Sequence, residues 1–573
     1  MTALDRPWLK FYGDTPADID VPDATMYEML AQSAERHPDR TALVYMGRKF
    51  TYTALIHEVG RCAAAFSANG VQAGDTVLVA LPNIPNAIIV FYALNRIGAR
   101  AAMAHPLSSS TELAHYLNET GAIWVVAVDM FYGRFQPILD QTPVRRLLMT
   151  HFSDYLSQAK AIGFRITKGR KIDPPPKDDP SIVDWRDFLR GAGPEQPYER
   201  RIAPTAGSVV LFSGGTTNLP KGIELSSANF NALAVSMILI TGFSFEHSVL
   251  AILPVFHGFG LGLCVHTAMS AGACSILVPE FSAKIYIDNL IKHRPSFIAG
   301  VPTLFQALLR EERFAKVDFS GLVGAYSGGD SLTADMKRRF DQAIADQGGS
   351  VELVEGYGLT ESVTACVVSP VGHYRDNSMG VPMPGMLVKV VDPDSGQELE
   401  PGQTGEICIA GPTLMNCYVN DPEATAETLR RHADGRLWLH SGDIGSMDAD
   451  GFVYFVNRIK RIIKVSGVTV YPTQVEQVLE SHPSVWRACV IGTPDDYQIS
   501  SVKAFVVLSD RSAGSDQIRD ELIAYCKKHL IRWAVPRGVE FCAELPTTLV
   551  GKIAYTELER ADLDRTQAAE PEA

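Results

Sequence analysis

Apolar positions along this chain follow two rhythms. Residues 76–81 (TVLVAL) form a short continuous apolar run, the pattern of a strand buried on both faces. Residues 86–97 then carry apolar positions at helical spacing, and a new apolar segment begins near Ala101. The strand pattern recurs at residues 122–128, 208–212, 249–253 and 296–298. Strands alternating with helices predict parallel α/β layers. Between residues 387 and 454 the runs shorten and turn residues multiply, which predicts a small, β-barrel-like subdomain closing the larger part. Another βα rhythm begins after Arg458, with helical spacing at 475–479 and 516–529 and strand patterns at 488–492 and 504–508. That stretch predicts a separate small α+β domain. Residues 173–180 (DPPPKDDP) read as an exposed proline-rich loop, and the acidic, Ala/Glu-rich end as a disordered tail beyond about residue 563.

Composition narrows the function classes. A length of 573 residues exceeds what one compact core usually holds, in agreement with two or more domains. The net charge of −13 argues against a nucleic-acid partner, because phosphate binding shows itself as basic patches. The nine cysteines include no C-x-x-C pair, so reduced thiols are expected rather than a zinc site or a disulfide framework. No apolar segment follows basic residues near the N-terminus, so a cytoplasmic location is expected. The most apolar long stretch, residues 249–265, contains Pro254, His257, Gly258, Gly260 and Gly262, and reads as buried strand and loop rather than a membrane span. Peripheral contact with a membrane surface stays open.

The densest chemical signal is Ser213-Gly214-Gly215-Thr216-Thr217-Asn218-Leu219-Pro220-Lys221-Gly222, directly after the apolar run 208–212. Glycines let backbone N–H groups crowd an anion, hydroxyls add donors, and a lysine adds a point charge, as a triphosphate or pyrophosphate requires. A Gly/Thr surface turn has the same composition, and the stretch alone does not separate the two readings. It is not a Walker A loop, since Gly222 follows Lys221 where that loop has Ser or Thr. Nor does Ser213 sit in a G-x-S-x-G elbow.

This stretch resembles the signature loop of the adenylate-forming superfamily, which comprises acyl-CoA synthetases, peptide-synthetase adenylation domains and luciferases. The family's later motifs follow in order at residues 254–257 (PVFH), 357–361 (YGLTE), 405–418, 438–443 (WLHSGD), 458–467 (RIKRIIKVSG) and 546–552 (PTTLVGK). Residues 50–52 and 104–113 also look like its N-terminal region, so the resemblance covers nearly the whole chain. It implies an N-terminal domain over residues 1–459, built of two α/β layered subdomains and the small β subdomain. A mobile C-terminal domain over residues 460–573 would turn about Lys460.

The resemblance also implies a chemistry: ATP and a carboxylic acid form an acyl-adenylate, which passes to coenzyme A. Glu361 would hold Mg2+, because this hard ion takes one or two carboxylates beside nucleotide phosphates. Thr360 would donate to the α-phosphate, Tyr357 would stack on adenine, and Gly328, Gly329 and Asp330 would line the base. Asp443 would accept the ribose hydroxyls with Arg458 as a further donor. Lys552 would supply the cation for adenylation, and His257 would orient the carboxylate. After domain rotation Lys464, Ser466 and Gly467 would face the adenylate. Each has a plain alternative, from a surface glutamate at 361 to a core histidine at 257, a solvated turn aspartate at 443 and a basic hairpin at 464–467.

Several positions depart from the pattern. Asn218, Cys417 and Asn457 stand where glycines are usual, Ser227 replaces a histidine and Gln474 a glutamate. Asn tolerates positive φ, so it can preserve a glycine's backbone at 218 and 457. For the acid, a medium- or long-chain fatty acid is preferred, because residues 151–171 resemble the insertion of such synthetases. An aryl acid is the alternative, as is a fatty acyl-AMP ligase loading a carrier protein. Relatives also suggest a homodimer.

Overall fold

The strand Thr76–Ala80 is buried over its whole length, and the computed structural model shows why. Parallel strands Arg100–Met103 and Trp124–Val128 flank it. Val77 and Val79 join one apolar cluster with the helix Pro85–Ile97, while Leu78 and Ala80 join another with the helix Ser110–Thr120. The structure describes residues 6–157, 160–163, 175–176, 178–194, 196–213, 220–280, 282–466, 468–495, 499–510, 514–548 and 552–569.

This strand belongs to an eight-stranded sheet, ordered Cys417–Tyr418, Gly222–Ser226, Gly207–Phe212, Arg100–Met103, Thr76–Ala80, Trp124–Val128, Arg146–Thr150, Ile182–Asp184. A nine-stranded sheet forms the second layer, with Leu353–Tyr357, Gly324–Gly328, Phe297–Gly300, Ser248–Ala251, Cys274–Leu277 and Thr41–Tyr45 parallel in its centre and antiparallel strands at its edges. The helix Pro85–Ile97 opens with proline, stops at Gly98 (φ 77°) and is buried at every residue. It packs in a cluster that draws side chains from both sheets, so the two layers share one core.

The small subdomain is a five-stranded antiparallel sheet of Leu387–Val391, Gly405–Ala410, Leu437–Met447, Leu429–Arg431 and Val453–Arg458. Beyond it, Ile463–Val465 and Val468–Val470 make a hairpin. The strands Val485–Asp495, Ile499–Leu508 and Gly538–Phe541 then form a sheet sharing an apolar core with the helices Pro472–Glu480 and Asp516–His529. Among the described residues no helix is long and apolar enough to cross a membrane.

Three expectations are corrected. The stretch read as strand and loop is helical from Phe259 to Ser270, in wide π-type turns up to Thr267. Apolar side chains all round mark a buried helix, which short-run periodicity cannot tell from a strand. The tail expected to be disordered beyond about residue 563 is helical as far as it is described, to Ala569, in the helix Tyr555–Ala569, where Arg565 pairs with Glu540 and the preceding Asp562 with Lys503. Composition cannot show such distant ion pairs. Asn457 lies in the extended strand Val453–Arg458 and needs no positive φ. Its buried amide instead accepts a hydrogen bond from the Thr473 hydroxyl at 3.0 Å.

Candidate active site

The ends of two neighbouring strands, Gly207–Phe212 and Gly222–Ser226, are closed by Ser213 and Lys221. The Ser213 N–H donates to the Lys221 carbonyl, and the Lys221 N–H donates to Ser213 Oγ, both at 3.0 Å. Gly214, Gly215, Thr216 and Thr217 of the phosphate loop expected from the sequence, with Asn218, lie outside the described residues. Lys221 reaches away from the hairpin: its ammonium pairs with Asp421 at 2.9 Å and sits over the Tyr418 ring.

The Tyr418 hydroxyl donates to Glu361 Oε1 at 2.8 Å. Glu361 occupies the single helical turn Thr360–Ser362, and its carbonyl accepts the Met415 N–H at 2.7 Å. Two glycines close on the adjoining loop, because a Cβ at Gly258 would collide with the Val363 carbonyl and one at Gly358 with the Thr364 carbonyl. Val363 itself has φ 66°, a strained conformation for a β-branched residue. Such strain is held only where surrounding packing over-determines it, and here it follows Glu361 by two residues.

Asp443 lies opposite Arg458 in the antiparallel register and is wholly buried. Its Oδ2 accepts the Tyr357 hydroxyl at 2.7 Å, and its Oδ1 stands 3.0 Å from Arg458 Nε. Burial pushes the Asp443 carboxyl up, against the pull of Arg458, the Tyr357 hydrogen bond and Lys552. Burial and the Asp443 charge in turn keep the Tyr357 hydroxyl protonated, hence a donor. Oδ1 makes no hydrogen bond among the described residues. A buried oxygen that is ion-paired to Arg458 but takes no hydrogen bond can still accept one from a ligand hydroxyl.

The strand segment carrying Asp443 is supported from behind. Glu406 Oε1 accepts the Gly442 N–H at 3.0 Å, and Oε2 meets His440 Nδ1 at 2.7 Å. Sequence spacing assigns Glu406 no role, although it stands near the start of the motif at 405–418.

Lys552 comes from the C-terminal domain, where its N–H donates to Thr548 Oγ1 at 3.2 Å. Its side chain lies over Gly329, where a Cβ would stand 3.6 Å from Lys552 Cε. Burial, then Arg458, pushes the ammonium pKa down, while Asp330, Asp443 and Glu361 pull it up. His257 accepts the Phe259 N–H on Nδ1 at 3.2 Å, which leaves its proton on Nε2. Desolvation, then Lys552, lowers its pKa to about 4, so the ring is a neutral donor at pH 7. Gly328 ends its strand, Gly329 turns with φ 84°, and Asp330 follows.

Thus Glu361, Asp443, Arg458 and Asp330 all lie close enough to Lys552 to bear on its charge, with Tyr357 hydrogen-bonded to Asp443 and His257 in the field of Lys552. Lys464 and Ser466 are placed elsewhere: Lys464 is exposed and donates to Thr469 Oγ1 at 2.6 Å in its own hairpin, and Ser466 makes the turn with φ 49°. Gly467 lies outside the described residues. Lys460 is exposed between Arg458, paired to Asp443, and Arg461, paired to Glu476. Tyr418, Asp421 and Glu406 enter through tertiary contacts that spacing in the sequence does not signal.

The chain matches the family model "AMP-binding enzyme" over residues 30–419 and "AMP-binding enzyme C-terminal domain" over residues 474–552. It is 32% identical to a long-chain-fatty-acid–CoA ligase of Bacillus subtilis, covering 96% of each chain. It is 31% identical to a feruloyl-CoA synthase of Amycolatopsis sp, covering 92% of this chain and 97% of that one. The fold superposes on a crystal structure of an anthranilate CoA ligase with anthranoyl-AMP at a TM-score of 0.83 and 22% identity, over 99% of this chain and 100% of the other. With both family models, full-length relatives and the fold in agreement, the chain belongs to the AMP-binding enzyme family, the adenylate-forming superfamily of acyl-CoA synthetases.

Proposed function

We propose that this protein is an AMP-forming fatty acid:CoA ligase, which couples ATP, a medium- or long-chain fatty acid and coenzyme A through an acyl-adenylate. The observation that carries the reading is Lys552, delivered from the C-terminal domain to the Gly329–Asp330 turn within the field of Glu361, Asp443 and Arg458.

In the first step an oxygen of the acid attacks the α-phosphorus and pyrophosphate leaves. Two anions meet, and charge builds on the phosphoryl oxygens. The Lys552 ammonium offsets that charge. The neutral His257 ring donates from Nε2 to the incoming carboxylate. Asp443, with its unsatisfied Oδ1, accepts the ribose hydroxyls, while Tyr357 and the Gly328–Gly329–Asp330 turn take the base. Glu361 fits a magnesium ion, which favours one carboxylate plus water and phosphate oxygens and neutralises phosphate charge when bound. Ser213 and Lys221 frame the polyphosphate end, where Lys221 would exchange Asp421 for phosphate. In the second step the thiol sulfur attacks the acyl carbonyl and AMP leaves. Lys552 has then to withdraw, and rotation about Lys460 would bring Lys464, Ser466 and Gly467 toward the adenylate.

The fatty acid is favoured by the Bacillus subtilis relative, and apolar Phe259 and Val301 flank Gly328 and Gly329. The Amycolatopsis relative favours an aryl acid as the second reading. The same reading takes the enzyme to be cytoplasmic, meeting membranes only at their surface, and to assemble as a homodimer; cell fractionation and light scattering test these points. ATP–pyrophosphate exchange across a panel of fatty and aryl acids, followed by a coenzyme A thioester assay, tests the activity. Exchange with no acid in the panel would overturn it.

A further inference from the structure

Two contacts tie the C-terminal domain to the nucleotide-facing turn of the N-terminal one. Arg487 donates from its guanidinium to Asp330 Oδ2 at 3.2 Å. The Arg310 guanidinium stacks on Trp486, 3.1 Å from the ring centre. Trp486 and Arg487 are neighbours on the strand Val485–Asp495, and neighbours on a regular strand point to opposite faces. Here the register slips: Val485 pairs with Leu508 and Arg487 with Val507, so Trp486 is the extra residue of a bulge. A bulge re-aims a side chain, and this one lets both residues reach the N-terminal domain.

We infer that Trp486 and Arg487 are positioning residues for adenylation, a latch that holds the C-terminal domain where Lys552 reaches its target. The inference rests on the proposed two-step reaction. Its geometric basis is convergence: Asp330 takes Arg487, and its neighbour Gly329 lies beneath Lys552. One turn therefore receives two basic groups that stand far apart in the C-terminal chain. The latch is also built to open. Arg487 stands 3.8 Å from Glu480 of its own domain, an acidic partner that stays beside it when Asp330 is left behind, although burial raises the Glu480 pKa to about 7 against the pull of Arg487. A cation stranded in a buried setting would resist release, and a second acidic partner lessens that resistance. Trp486, half-buried, gives up only a stacking contact with an exposed arginine.

The test separates the half-reactions in the full-length enzyme. Trp486→Ala, Arg487→Ala and Arg310→Ala are each expected to lower the kcat of acid-dependent ATP–pyrophosphate exchange by up to about 100-fold, the scale of a catalytic group misplaced by about an ångström. Thioester formation from supplied acyl-adenylate and coenzyme A should be unchanged or faster. The double variant Arg310→Ala/Trp486→Ala should be no worse than the poorer single one, since one contact is removed twice. Arg487→Lys should recover part of the loss. Equal losses in both half-reactions, or exchange at the wild-type rate, would overturn the latch. Should variants at 486 or 487 misfold, Arg310→Ala, on the exposed side of the contact, decides alone. Failure of the wild-type enzyme to exchange with any acid would instead overturn the reaction itself.

Discussion

The Tyr357 hydroxyl donates to Asp443 Oδ2 across 2.7 Å, joining residues of two different sheets. The aromatic ring proposed to face adenine and the carboxylate proposed to hold the ribose are thus a single hydrogen-bonded unit. Tyr357→Phe keeps the ring and removes the donor. It is expected to raise KM for ATP about tenfold, from the loss of a charge-assisted bond near 1.5 kcal/mol, with kcat little changed. Steady-state kinetics with ATP varied checks this, and an unaltered KM would contradict the coupling.

Lys552→Ala is expected to lower acid-dependent exchange by roughly 100- to 1,000-fold, the scale of a lost transition-state charge contact. Thioester formation from supplied acyl-adenylate should survive. Because burial, then Arg458, depresses the ammonium pKa, exchange should fall on the alkaline side as Lys552 loses its proton below the ordinary lysine range. A pH profile of exchange that stays flat up to the ordinary lysine pKa would count against this.

Glu361→Gln keeps the shape of the turn and the Tyr418 contact but removes the charge. The magnesium concentration giving half-maximal exchange should rise by about tenfold or more, with activity partly restored at high magnesium. A variant titrating like the wild type would place the ion on other groups.

A stability prediction comes from outside the site. His151 Nδ1 meets Asp129 at 2.7 Å and Nε2 meets Asp184 at 2.8 Å. The hydrogen bonds to Asp129 and then Asp184 raise the imidazolium pKa from 6.5 to about 10. A raised folded pKa means that the stabilisation is complete below about 6.5 and disappears as pH rises toward about 10. Thermal unfolding of the wild type and His151→Ala should differ most near pH 6 and converge by pH 10. A gap that is constant with pH would assign His151 a packing role only.

Much of this protein was legible before any coordinates. Continuous apolar runs such as 76–81 located buried strands, and the ordered motifs pointed to Glu361, Asp443, Arg458 and Lys552. Those signals are local: side-chain periodicity follows backbone geometry within a few residues, and motif spacing is carried by the chain itself. Tertiary structure decided what such signals cannot encode. It set Tyr357 against Asp443, Lys221 against Asp421 and Arg487 against Asp330, pairs that depend on strand register and on the pose of the C-terminal domain. It wound the glycine-bearing segment after Pro254 into a buried helix and gave the acidic tail ion-pair partners. Each of these outcomes rests on contacts between segments distant in sequence, whose free energy exists only once both partners are brought together and water is excluded between them.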